Sequence, residues 1–242
     1  SYDIIEKLTA SASINYSIVE GKGRYGTGYD DKNVATNFRQ WWQTNVDVEQ
    51  LEAAYDRTGR NITWNWADPD ALVPIYWDNP YWTRYENYQN DERNRYFGNV
   101  ALNYKVTDWL DVLGRVTLDR YDEVQEERYA VGSLSPSEYQ RFNRQFMERN
   151  YDLLANLNRD LSEDFNLRAT IGTNIRKTET ESIFAETNGG LVVPRFYALS
   201  NSLNPLEPPI EEDTELQVNG YFASTTLGFR DFVFLDLAYR VD

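Results

Sequence analysis

The feature that most constrains this chain is a two-residue alternation of apolar and polar side chains, which recurs in seven separate stretches. Such alternation puts successive side chains on opposite faces of a β-strand. The first stretch runs near Leu8 to Val19, with Ala10, Ala12, Ile14, Tyr16 and Ile18 on one parity and Thr9, Ser11, Ser13, Asn15 and Ser17 on the other. The second, near Arg95 to Lys105, sets Tyr96, Gly98, Val100, Leu102 and Tyr104 against Asn99, Asn103 and Lys105. The third sets Leu110, Val112, Gly114, Val116 and Leu118 against Asp111, Arg115, Thr117 and Asp119. The fourth sets Tyr151, Leu153, Ala155 and Leu157 against Asp152, Asn156 and Asn158, with Leu154 breaking the polar parity. The fifth sets Phe165, Leu167, Ala169, Ile171 and Ile175 against Asn166, Arg168, Thr170, Asn174 and Arg176. Tyr221, Ala223, Leu227 and Phe229 oppose Ser224 and Thr226 in the sixth. In the seventh, Val233, Leu235, Leu237 and Tyr239 oppose Asp236 and Arg240, while Phe232 and Phe234 interrupt the polar side.

The connections between these stretches alternate in length. Val106 to Asp108, Asp160 to Glu163 and Arg230 to Asp231 are short, whereas Gly21 to Asn94, Asp122 to Asn150 and Lys177 to Thr214 are long. Tight turns at one end and long loops at the other are the pattern of transmembrane β-barrels, with the long loops outside. A soluble sandwich has no reason to gather its long loops at one end, and such loops are uncommon in compact domains. Alternation alone does not separate a sandwich from a membrane barrel; the loop asymmetry favours the barrel. Arg115, Asp119, Arg168 and Arg176 lie mid-strand on the polar parity, where a wide barrel has a wet lumen. Tyr104, Phe165 and Phe229 flank the short turns, and Tyr16, Tyr96 and Tyr151 lie towards the long loops, as two aromatic girdles would. Seven strands leave two open edges, which hydrocarbon does not tolerate. The expected fold is therefore all-β: about seven strands of a larger antiparallel barrel. The opening at Ser1-Tyr2-Asp3 and the close at Tyr239-Arg240-Val241-Asp242 both read as cuts through that barrel.

Composition excludes several chemistries. With 39 acidic against 24 basic residues the net charge is -15, which repels phosphate backbones, so nucleic acid is not an expected partner. The chain has no Cys and no His. That removes Cys/His zinc sites, haem ligation by His, Ser-His-Asp triads, Cys nucleophiles and disulfides. No apolar run approaches the roughly 20 residues a membrane helix needs. Gly21 to Gly28 is glycine-rich but lacks the Gly-Lys-Ser/Thr ending of a phosphate loop, so it reads as a flexible or tight loop. Acidic pairs such as Asp30-Asp31, Asp68 with Asp70, Asp122-Glu123, Glu126-Glu127 and Glu211-Glu212-Asp213 lie in polar segments. They lack EF-hand spacing and read as solvated charge. No catalytic residue, metal ligand or cofactor is assigned, and the chain is not expected to be an enzyme.

The first long loop holds Trp41, Trp42, Trp64, Trp66, Trp77 and Trp82, six of the seven Trp. These are the candidate contact residues, because Trp supplies large, stiff contact area and can stack on sugar rings. Three readings stand open: packing of the loop on itself, contact with a partner protein, and direct stacking on a substrate. Within the loop, Val48, Leu51 and Tyr55 have helical spacing and Gly59 is a stop, which predicts a short helix over Asn45 to Arg57.

Four segments carry a family resemblance. They are Gly23-Arg24-Tyr25-Gly26-Thr27-Gly28-Tyr29, Asn79-Pro80-Tyr81-Trp82-Thr83-Arg84-Tyr85-Glu86-Asn87, Thr107-Asp108-Trp109-Leu110, and Asn188-Gly189-Gly190-Leu191-Val192-Val193-Pro194 with Tyr197-Ala198-Leu199-Ser200-Asn201. In this order they resemble the SusC/RagA family of TonB-dependent outer-membrane transporters of Bacteroidota, across nearly the whole chain. The resemblance implies a barrel of about 22 strands. Residues 1–242 would form roughly a third of it, with the plug and the other strands absent. It further implies residence in the cell outer membrane, TonB coupling through the absent regions, a SusD-like surface lipoprotein as partner, and uptake of glycans or oligopeptides. Two other classes remain beside it, a soluble β-sandwich carbohydrate-binding module and a β-rich glycoside hydrolase.

Overall fold

The computed structural model describes residues 1–242 apart from Tyr25, Gln40, Trp41, Asp231 and the side chain of Ala67. Its frame is one antiparallel sheet. The elements in chain order are β1 (Tyr2–Ile5), β2 (Leu8–Arg24), α1 (Val34–Arg39), α2 (Val48–Thr58), β3 (Trp66–Asp68), β4 (Ala71–Pro74), α3 (Pro80–Glu86), β5 (Gln89–Thr107), β6 (Leu110–Tyr129), β7 (Glu138–Asp160), β8 (Phe165–Glu186), β9 (Asn188–Leu191), β10 (Ser202–Asn204), β11 (Ile210–Phe229) and β12 (Val233–Val241). The large sheet has the order β1-β2-β5-β6-β7-β8-β11-β12 and is open, with β1 and β12 at its edges. Two small sheets, β3-β4 and β9-β10, belong to the long connections. Among the described residues no helix is long and apolar enough to cross a membrane.

All seven alternating stretches are strands of the sheet, and the count of seven is corrected to eight. The addition is β1, whose four residues are too few for a periodicity to register. A second correction concerns the long connections. β6 runs on to Tyr129 and β7 begins at Glu138, so most of Asp122 to Asn150 is strand. β8 likewise reaches Glu186 and β11 starts at Ile210. β2 continues through Arg24, with Gly23 at φ 66, so half of the glycine-rich segment is strand as well. The reason is physical. Where both faces of a strand meet polar surroundings, nothing selects alternation, yet the ladder of backbone hydrogen bonds still holds the strand. The 23-residue β7 extends about 75 Å at strand rise, far more than the 9–11 residues that cross a bilayer.

Register separates two faces. On one lie Leu8 to Ile18, Tyr96 to Tyr104, Leu110 to Leu118, Tyr151 to Leu157, Phe165 to Ile175 and Tyr221 to Phe229, each taken at alternate residues. These side chains form a continuous band, and they are exposed: Ile14 84%, Ile171 66%, Leu153 54%. The upper edge of the band steps at most strand boundaries and is level between β7 and β8, where Tyr151 pairs with Ile175. Tyr96 pairs with Arg120, Leu118 pairs with Arg149, and Ile175 pairs with Asn219. The edge thus falls relative to the hydrogen-bonded rows as the sheet is crossed. A level band on tilted strands requires such a step, and strands of a barrel tilt by about 35–45°.

Candidate functional site

The face opposite the band is polar and internally bonded. Asp152 accepts from Arg115 at 2.8 Å and from Asn174 at 2.6 Å. Asn156 donates to Asp111 at 3.0 Å and accepts from Thr170 at 3.0 Å. Arg95 pairs with Asp119, and Arg93 with Glu123 at 2.9 Å. Charges therefore run through mid-strand positions already matched across strands, which suits a wet wall rather than one facing lipid. One apolar island interrupts it. Leu154, the exception in the sequence pattern, pairs with Gly172, which in turn pairs with Phe222. A Cβ at Gly172 would come within 2.5 Å of Leu154 and 2.7 Å of Phe222, so the missing side chain is what lets the two close over it.

At the long-loop end the three connections are tied into one cap. Asn79 caps α3 by accepting from the Tyr81 amide at 2.8 Å, with Pro80 in the first turn. Its Nδ2 donates to Leu51 O at 2.9 Å and Ile62 O at 2.8 Å, which fixes α2 to α3. Asn65 accepts the amides of Ile75, Tyr76 and Trp77 and donates to Trp77 O. Asn87 accepts from the Ala130 amide at 2.8 Å and from Ser133 Oγ at 3.0 Å, joining the first loop to the second. Asp78 accepts from Asn61 at 2.7 Å, the Leu134 amide at 2.7 Å and Asn87 at 3.1 Å. Burial outweighs those three donors and lifts the Asp78 carboxyl to about 6. The third loop joins through Ser137, whose Oγ accepts from the Leu191 amide at 2.9 Å, and through Arg195, which donates to Glu86 at 2.7 Å. Beside that pair, burial and Glu86 push the Tyr55 phenol up to about 12.

The sequence motif from Asn79 to Asn87 thus has a mechanical role: a capped helix whose two flanking asparagines fasten the loops. No pattern in the sequence singled out Asn61, Asn65 or Asp78; they are loop polar residues until the fold buries them. The helix expected over Asn45 to Arg57 is α2, ended by Gly59 in the left-handed region at φ 59.

The candidate tryptophans divide. Trp77 and Trp82 are buried at 7% and 5% exposure, and the Trp82 indole donates to Ser133 Oγ at 2.9 Å. These two are core of the cap. Trp42 and Trp64 are half-buried and meet edge to face at 6.3 Å, with Phe38 4.7 Å from Trp42. Trp66 is exposed at the start of β3, near the exposed Val73, Ile75 and Tyr76 of the following chain. Trp41 lies outside the described residues. Among the described residues no group of acidic, His or Cys side chains is placed to hold a metal.

No family model matches the sequence, and no curated protein is similar to it. Solved structures do match. The structure of the RagAB peptide transporter superposes on 98% of this chain with a TM-score of 0.72 and 16% identity. The RagAB peptide importer matches in its open-open state at a TM-score of 0.71 and in its closed-closed state at 0.69. The fold is that of a transmembrane β-barrel wall. The chain spans 26% of the length of the RagAB chain it matches, as an open strip of that wall. In the wall the apolar band is the outer surface and the bonded polar face is the inner one. The cap crowns the end where the strands outrun the band.

Proposed function

We propose that this chain is barrel wall and outer cap of a SusC/RagA-type TonB-dependent transporter in a bacterial outer membrane. The observation that carries the reading is the apolar band, seven to eleven residues tall on each strand and stepped at most strand boundaries as strand tilt demands, backed by a charged and hydrogen-bonded inner face. The sequence resemblance and the RagAB fold point the same way. In this reading the plug, the remaining strands and the TonB contact lie in other parts of the protein. The cargo is a bulky solute, an oligopeptide or a glycan, and RagAB, a peptide transporter, favours the oligopeptide. The strip supplies wall and lumen lining and carries no catalytic group. The partner is a SusD-like surface lipoprotein. Trp66, with Val73, Ile75 and Tyr76, is the part of the cap offered to it, because large apolar side chains left exposed on a rigid base mark contact surfaces.

The test is a pair of substitutions in the complete transporter. Ile171→Arg, on the band, is expected to destabilise the folded barrel by roughly 2–4 kcal/mol and to lower its level in the outer membrane. Thr170→Arg, its neighbour on the inner face, is expected to leave assembly near normal. Equal tolerance at both positions contradicts a membrane wall.

A further inference from the structure

Directly above the apolar band the outer surface carries a layer of basic residues. On β6, β7 and β8 the first side chain beyond the band on that face is Arg120, Arg149 and Lys177 in turn. Each lies two residues from the last apolar member of its strand, Leu118, Tyr151 and Ile175, on the side away from the short turns. Arg149 and Lys177 are direct cross-strand partners, and Arg120 lies one same-face position further along, in the row of Met147. The exposed Tyr96 ring, the last of the band on β5, pairs across from Arg120. The upper edge of the band is where a bilayer passes from hydrocarbon to headgroups.

We infer that this layer binds the phosphate groups of a phosphorylated glycolipid of the outer leaflet. The inference rests on the membrane-wall reading above and goes beyond it in naming a ligand. A guanidinium matches phosphate geometry with a planar fork of donors, and an ammonium adds a point charge. Two carboxylates share the layer. Asp122 lies 3.5 Å from Arg120, and Glu179 pairs with Arg149. Each contact runs through one terminal nitrogen, so each arginine keeps further N–H groups, and the Arg149 Nε is buried without a partner. Lys177 is exposed and has no ion-pair partner among the described residues. Over β6 to β8 the layer keeps a net positive charge at headgroup depth on a chain of net charge -15, while the corresponding positions on β2, β5 and β11 are Glu20, Asn94 and Asn219.

The test uses the full-length transporter in nanodiscs of phosphatidylcholine alone, with added diphosphoryl lipid A, or with phosphatidylglycerol at matched charge. Retained lipid is counted by native mass spectrometry. The expected result is retention of lipid A in preference to phosphatidylglycerol. Lys177→Gln should weaken retention about fivefold, and Arg149→Gln with Lys177→Gln about 25-fold. Arg176→Gln, which removes the adjacent charge from the inner face, should change nothing. Equal loss from Arg176→Gln, equal retention of phosphatidylglycerol, or no retention of lipid A overturns the inference while leaving the wall reading intact. Failure of the protein to insert into nanodiscs overturns both.

Discussion

The two halves of the long strands hold together by different means. Near the short turns the sheet meets unlike media on its two faces, and it shows strict alternation, an exposed band containing Ile14, Val100 and Ile171, and charges confined to the opposite face. Beyond the band both faces are polar. There the strands are stitched by cross-strand pairs such as Arg93 with Glu123 and by the stacked rings of Tyr121 and Phe146, 4.9 Å apart. The cap above them has little apolar core; its joints are asparagine side chains bonded to backbone. The lesson is that alternation reports a difference between two solvents, and strand formation does not depend on it.

The largest expected effect falls on the cap. Trp82→Ala removes its most enclosed indole together with the bond to Ser133, and should cost about 3–5 kcal/mol of cap stability. Hydrogen exchange in the complete protein should show deprotection of residues 59–88 and 130–137 while the banded parts of β5 to β8 stay protected. Trp66→Ala should leave exchange unchanged and reduce co-purification with the lipoprotein. If Trp82→Ala instead loosens the banded strands equally, the two regions are one cooperative unit and the contrast fails.

A smaller and reversible effect comes from Asp78. Its folded carboxyl titrates near 6 against an ordinary 3.8, so the folded cap binds the proton more tightly than the unfolded loop does. The cap therefore gains stability as pH falls from about 6 to about 4, by up to about 3 kcal/mol, with no further gain below. Above pH 7 the contribution is absent. Exchange rates of the cap measured across that window should slow on acidification in the wild type. Asp78→Asn should flatten the profile. The banded strands should not follow it, and a parallel change there would mean that the pH response is global.

The sequence made the lower half readable because every other residue there answers to a bilayer or a lumen. Even its exceptions were informative, since Leu154 marks the inner-face island with Gly172 and Phe222. The helix α2 was readable from Val48, Leu51, Tyr55 and Gly59. The continuation of β6 to Tyr129 and of β7 from Glu138 was not, because Asp122 to Asn150 has no periodicity to read. The asparagine joints were hidden for another reason. Asn61, Asn65, Asn79 and Asn87 bond to backbone groups up to 71 positions away in the case of Asn61 to Gly132, and local sequence holds no trace of such partners. The tryptophan cluster did not separate the buried Trp77 and Trp82 from the exposed Trp66.

The central claim is that one face of each strand meets lipid up to a definite height and water beyond it. Single cysteines along β8 of the complete transporter, from Leu167 to Ile183, test it directly, and this chain has no native cysteine to interfere. Each site is probed by a nitroxide-bearing lipid and by a water-soluble thiol reagent. Lipid contact is expected at 167, 169, 171, 173 and 175 and water contact at 168, 170, 172, 174 and 176. From Lys177 onward both parities should react from water. Water reactivity on both parities below Lys177, or lipid contact that continues at alternate residues past it, would rule out a lipid-facing band that ends at Ile175.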